Sequence, residues 1–163
     1  MSFPAETQLI LTTPDDPRAQ ELMDEQQREL AARYGDDDDP EPFDPAALGG
    51  SGGAVLLALE GTRPVGCGAL RPLLDPPVPG TAEVKRMYVR PEARRRGLAR
   101  RILTRLEEQA RALGYTQVWL ETGTGQPEAM RLYETSGYQR IARYGYYANH
   151  PLSVCYGKTL QEG

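Results

Sequence analysis

Arg94, Arg95 and Arg96 run directly into Gly97, Leu98, Ala99, Arg100 and Arg101, at a point where the sequence changes from a strand-like run to a helical repeat. The first N–H groups of a helix have no acceptor inside it, and the positive end of the helix dipole lies beside them, so this junction suits an anion. Gly97 has no Cβ and lets a ligand come close to the main chain. Arg94, Arg95, Arg96, Arg100 and Arg101 can add charge-assisted hydrogen bonds to further phosphates. A pyrophosphate fits such a place; a solvated basic helix face is the competing explanation. The run is neither G-x-G-x-x-G nor a Walker A loop, so NAD and ATP fit poorly.

Carboxylates supply the candidate bases. Period-two alternation puts Glu83, Lys85, Met87 and Val89 on one face of a strand, and Arg86 and Tyr88 on the other. Glu83 could take a proton directly or through water, and Glu121 on the next strand is an alternative. Either could instead be a paired carboxylate, since Lys85, Arg86 and Arg94 are close in sequence. Tyr133, beside Ala129 and Met130 on a short helix, reads from its spacing alone as a core residue. His150, the single histidine, precedes a proline in a turn and reads as solvated. Cys67 and Cys155 lie in apolar runs and make neither a disulfide framework nor a zinc site, so they read as reduced core residues, and no metal is expected.

The elements that must position these residues are legible. A strand candidate at Gln8–Thr12 leads into a helix from about Asp15 to Arg33, with Ala19, Leu22, Met23, Gln26, Leu30 and Ala31 at helical spacing. Residues 36–53, DDDDPEPFDPAALGGSGG, hold little to bury and read as a mobile acidic, glycine-rich loop. Ala54–Glu60, Pro64–Leu70 and Ala82–Val89 are apolar runs separated by turn residues, read as three antiparallel strands. Leu98, Ile102, Leu103, Leu106, Ala110 and Leu113 mark a helix closed by Gly114. Thr116–Thr122 is a strand expected to pair in parallel after that crossover helix. Pro127 opens a short helix closed by Gly137, and strands at about Tyr138–Tyr147 and Leu152–Leu160 finish the chain. The order is an α+β pattern: a mixed, mostly antiparallel sheet of about seven strands flanked by helices.

A length of 163 residues suits a single domain, and 39% hydrophobic with 26% charged residues excludes a disordered or fibrous chain. The amino terminus has no basic region ahead of an apolar run, and no stretch reaches the roughly 20 apolar residues of a membrane span, so a cytoplasmic protein is expected. The net charge of −4 is polarised: residues 1–53 carry 13 acids and 3 bases, and residues 54–163 carry 10 acids and 16 bases. Nine of those bases fall between Lys85 and Arg105 against one acid, Glu92, which again points to an anionic partner. Nucleic acid is not expected, since the chain has no helix-turn-helix, no RRM signature and no overall basic balance.

Arg94-x-x-Gly97-x-Ala99, after the strand AEVKRMYV, resembles the acyl-CoA pyrophosphate motif R/Q-x-x-G-x-G/A of the GNAT superfamily of N-acetyltransferases. Gln126-Pro-Glu-Ala129-Met-Arg-Leu132-Tyr133-Glu-Thr-Ser-Gly137-Tyr138 is similar to that superfamily's N-x-x-A-x-x-L-Y-x-x-x-G-F segment. The resemblance covers about Ala54 to Tyr138. Gln126 stands where Asn is usual, which bears on one cofactor hydrogen bond, and Tyr138 stands for Phe, a packing change.

The resemblance implies acetyl-CoA as cosubstrate, lying where two neighbouring strands splay apart. It assigns the thioester carbonyl to backbone N–H near Met87, the pantetheine to the main chain of Met87, Tyr88 and Val89, and the pyrophosphate to the loop of Arg94, Arg95, Arg96, Gly97, Leu98 and Ala99, with Arg100 and Gln126 alongside. It makes Tyr133 the general acid near the thiol and Glu83 the candidate base. Glu121, Arg86 and Tyr147 are the acceptor-side candidates, Tyr147 because Tyr144, Tyr146 and Tyr147 surround the last hairpin. The expected activity is direct acetyl transfer to a primary amine of a small molecule or peptide, by a monomer or homodimer. A non-catalytic acyl-CoA-binding module on the same fold is the alternative.

Overall fold

The computed structural model describes residues 6–34, 52–74, 77–145 and 148–160. The acidic stretch 36–51 and Tyr147 lie outside the described residues. Among the described residues, seven strands and three α-helices follow in the order β1 (Thr7–Thr12), α1 (Pro17–Tyr34), β2 (Ala54–Glu60), β3 (Arg63–Leu74), β4 (Pro77–Val89), α2 (Leu98–Ala112), β5 (Gln117–Gly123), α3 (Pro127–Thr135), β6 (Gln139–Ile141) and β7 (Ser153–Thr159). They build one mixed sheet in the order β1-β2-β3-β4-β5-β7-β6, in which only β4 and β5 pair in parallel. The expected α+β architecture and element order are found, with one strand much shorter than its sequence suggests. β6 ends at Ile141, because Tyr144 leaves the ladder and buries its ring beneath the sheet, its hydroxyl donating to Glu83 Oε2 at 2.7 Å.

Helix α2 lays Leu98, Ile102, Leu103, Leu106 and Ala110 on one face of the sheet, against Leu56, Leu70, Val84, Val118 and Leu120. Gly68 allows the close approach: a Cβ there would lie 2.8 Å from Leu106 Cδ1 and 2.9 Å from Ile102 Cγ2. On the opposite face α1 packs Ala19, Leu22 and Met23 over Val55, Leu57, Cys67, Ala69 and Tyr88. Asp16 caps α1 by accepting from the Arg18 backbone N–H at 2.9 Å, and the Arg18 guanidinium holds its carboxyl well below the usual carboxylate range. A row of acids one turn apart on α1 fixes the helix further: Glu21 and Glu25 meet Arg90, and Glu29 meets Arg94.

Two local departures from regular pairing shape the centre of the sheet. The β4–β5 ladder covers only Thr81–Val84 against Gln117–Leu120, while β5 stays paired to β7 through Gly123 and β4 to β3 through Val89. The two strands therefore part after Val84. Within β4, Cys67 faces Tyr88 but Ala69 faces Lys85, so Gly68 opposes both Arg86 and Met87: a β-bulge, with Arg86 in the left-handed region at φ 58°.

The bulge corrects the expected alternation. Met87 and Val89 join Ala82 and Val84 on the α2 face, whereas Tyr88 faces α1, on the side that carries Glu83. An extra residue in the strand shifts everything beyond it by one, which strict period-two counting cannot register.

Candidate active site

Beyond Val89 the chain makes one turn of 3₁₀-helix, Pro91–Ala93, and then Arg95 at φ 66° and Gly97 at φ 76° bring it to the start of α2. No side chain caps that start, so the leading N–H groups of α2 face outward. A Cβ placed on Gly97 would meet nothing within 4 Å, so the cradle beside the helix start is open to a ligand.

The arginines around the cradle are largely braces. Arg94 donates to the Val89 carbonyl at 2.8 Å and to Glu29, and its guanidinium lies 5.7 Å from the centre of the Tyr88 ring. Arg96 bonds Glu60 and the Glu92 carbonyl, Arg100 bonds Thr135 and Ser136 on the far end of α3, and Arg101 bonds the Thr7 carbonyl. The sequence offers these cations to phosphates; the fold uses them first to hold the loop in shape.

Below the parting strands, α3 places Tyr133 in the core, with its ring 5.9 Å from those of Tyr138 and Tyr156 and its hydroxyl 4.0 Å from Met87 Sδ. Burial, with smaller contributions from Glu121 and Tyr156, raises the Tyr133 pKa far above that of a free tyrosine. It therefore holds its proton throughout the neutral range, where it has a proton to give and is no base. Gln126 stands at the start of α3 without capping it by a side-chain bond.

Glu83 is almost wholly buried on the α1 side, and both its oxygens are engaged: Oε1 by Arg71 Nε at 2.8 Å, Oε2 by Tyr144. Glu121 lies one residue past the end of the β4–β5 ladder and accepts from Ser153 Oγ at 3.0 Å. Arg86 is half-buried in the bulge itself, and its carbonyl lies 3.3 Å from Cys67 Sγ. His150 stays in the β6–β7 turn, its carbonyl taken by Arg143 and the Ser153 N–H. Burial pushes the Cys67 thiol up to about 12 and the Cys155 thiol up to about 11, so neither presents a thiolate nucleophile near neutral pH.

Sequence reasoning missed several contributors. Arg71 and Tyr144 sit in runs with no local motif, and only pairing across 12 and 61 residues brings them to Glu83. The motif makes Tyr138 a packing change, yet its hydroxyl donates to buried Glu107 Oε2 at 2.8 Å, beside the Lys158–Glu107 ion pair. The Glu21, Glu25 and Glu29 spacing on α1 was readable, but its partners were not.

Residues 19–138 match the model of the acetyltransferase (GNAT) family. The chain belongs to the GNAT acetyltransferases. It is 40% identical over 105 residues to an IAA acetyltransferase of Azospirillum brasilense, covering 64% of this chain and 67% of that protein. It superposes on a Klebsiella pneumoniae protein described as an acyl-CoA N-acyltransferase with a TM-score of 0.78 at 26% identity, over 95% of this chain and 98% of that one. It shares the fold of yncA, a Salmonella typhimurium protein solved with its cofactor acetyl-CoA, with a TM-score of 0.71 at 17% identity, over 98% of this chain and 96% of that one. As a GNAT acetyltransferase the chain is an acetyl-CoA-dependent enzyme, and the resemblance seen in its two motifs was a true family signal. No helix among the described residues is long and apolar enough to cross a membrane.

Proposed function

We propose that the protein moves the acetyl group of acetyl-CoA directly onto a primary amine of a small molecule or peptide, within a ternary complex. The parting of β4 from β5 after Val84, with Tyr133 on one face and the two carboxylates on the other, carries this reading. The N–H groups of Leu98, Ala99 and Arg100 and the cradle at Gly97 would hold the pyrophosphate, with Arg95 and Gln126 beside it. Backbone groups of Met87, Tyr88 and Val89, freed from β5, would hold the pantetheine. When bound, acetyl-CoA supplies an acetyl thioester, the electrophile. Glu121 accepts the amine proton as the carbon–nitrogen bond forms, and Tyr133 gives its proton to the departing sulfur as the carbon–sulfur bond breaks. Glu83 shapes the acceptor wall through Arg71 and Tyr144. Arg86 and Tyr147 remain acceptor-side candidates.

An amine panel monitored by free-thiol release tests this. Saturable, amine-dependent CoA release supports transfer. Release at one rate with or without every amine would leave a binding module or a thioesterase instead.

A further inference from the structure

One polar group on the α1 face has no task in that scheme. Gln26 reaches from α1 to the bulge and donates Nε2–H to the Met87 carbonyl at 2.7 Å. A carbonyl only accepts, so this bond fixes which end of the amide is which. The other end, Oε1, is buried and has no hydrogen-bond partner. Buried acceptors are seldom left so, and the site of this one matters. It lies beside Met87, where β4 has parted from β5, on the face that carries Glu83 and Tyr88.

We propose that Gln26 Oε1 receives one N–H of the acceptor and thereby selects primary over secondary amines; this rests on the acetyl-transfer reading above. A neutral primary amine has two N–H bonds and one lone pair. If Oε1 holds one hydrogen and a carboxylate faces the other, the lone pair is left directed at the thioester carbon. As the carbon–nitrogen bond forms, the carboxylate takes its proton, and the hydrogen held by Gln26 stays on the amide product. A secondary amine has a single hydrogen, so either Gln26 or the base goes unserved. Sites that hydrogen-bond a substrate N–H discriminate strongly against analogues without it.

The test compares a primary amine found active in the panel with its N-methyl analogue, in the wild type, Gln26→Met and Gln26→Glu. The methionine removes donor and acceptor at similar length, and the glutamate keeps an acceptor but loses the donor to Met87. Both amines are cations of equal charge, so the ratio of their kcat/KM values is insensitive to the charge of the glutamate. The wild type should favour the primary amine by at least about tenfold, Gln26→Met should lose that preference, and Gln26→Glu should keep most of it. Acetyl-CoA affinity measured by calorimetry should stay within about twofold in both variants. Equal loss toward both amines, equal loss of preference in both variants, or a parallel fall in acetyl-CoA affinity would reduce Gln26 to a strut for β4. A wild type that acetylates no amine would overturn the acetyl-transfer reading itself, and this inference with it.

Discussion

The Tyr133 hydroxyl lies 4.0 Å from Sδ of Met87, joining a helix residue to a strand residue that the bulge has turned toward it. Without the bulge, alternation would aim Met87 at α1 and Tyr88 at Tyr133. The left-handed Arg86 thus decides which side chain meets the candidate acid, and it does so beyond the last β4–β5 pair.

Tyr133→Phe keeps the ring against Tyr138 and Tyr156 and removes only the hydroxyl. Turnover should fall by about 10² to 10⁴ with little change in acetyl-CoA affinity, the range for loss of a general acid. Since burial raises its pKa, the wild-type rate should show no alkaline loss from Tyr133 below about pH 10, the ordinary tyrosine value. Wild-type turnover in the variant, measured by steady-state kinetics, would take Tyr133 out of the reaction.

Gly97 separates space from backbone strain. An alanine there has room but must adopt φ 76°, so Gly97→Ala should cost about 1 kcal/mol and leave most of the acetyl-CoA-induced rise in Tm. Gly97→Glu adds a negative charge at the cradle and should abolish the rise. A full ligand-induced shift in the glutamate variant, read by thermal denaturation, would move the pyrophosphate elsewhere.

The cradle was legible because it is local: Arg94 to Ala99 are consecutive, and strand, glycine and helix follow from neighbouring residues. Helix α2 and the succession of elements along the chain were legible for the same reason, since period and turn residues need no partner, whereas the insertion of β7 between β5 and β6 was not. What escaped was long-range or irregular. Arg86 in a left-handed bulge breaks alternation without a glycine to announce it. Tyr144 leaves a promising strand for a buried carboxylate on β4, and Arg94 serves Glu29 before any phosphate, because an exposed cation takes the nearest carboxylate the fold provides.

Alkaline pH should unfold the protein with unusual steepness. Burial raises the pKa values of Tyr115, Tyr133, Tyr138, Tyr144 and Tyr156, and pushes Tyr88 up to about 12. The protonated forms are the ones the fold accommodates, so their stabilisation is complete below about pH 10, the unfolded value, and is lost as pH rises toward the folded values. Each such tyrosine adds a slope of about 1.4 kcal/mol per pH unit in that window. Tyrosinate absorbance and circular dichroism should therefore change together; tyrosines that ionise smoothly near pH 10 before any loss of structure would contradict their burial.

Exchanging the two carboxylates separates scaffold from chemistry. Glu83→Gln keeps the shape but removes the charge that Arg71 meets at 2.8 Å, and the Arg71 side chain is only 20% exposed. Removing one partner of a buried pair costs about 3–5 kcal/mol, and the partial exposure of Arg71 brings that to about 2. At about 2–4 °C per kcal/mol for a chain of this size, Tm should drop by about 4–8 °C while kcat, measured well below the transition, changes by less than about tenfold. Glu121→Gln can keep its bond from Ser153, and kcat should fall by about 10² or more through loss of the proton acceptor. The opposite outcome, a normal Tm with a hundredfold loss of turnover in Glu83→Gln and near-normal turnover in Glu121→Gln, would return the base to β4. The Arg71 and Tyr144 bonds would then have to loosen each time an amine arrives.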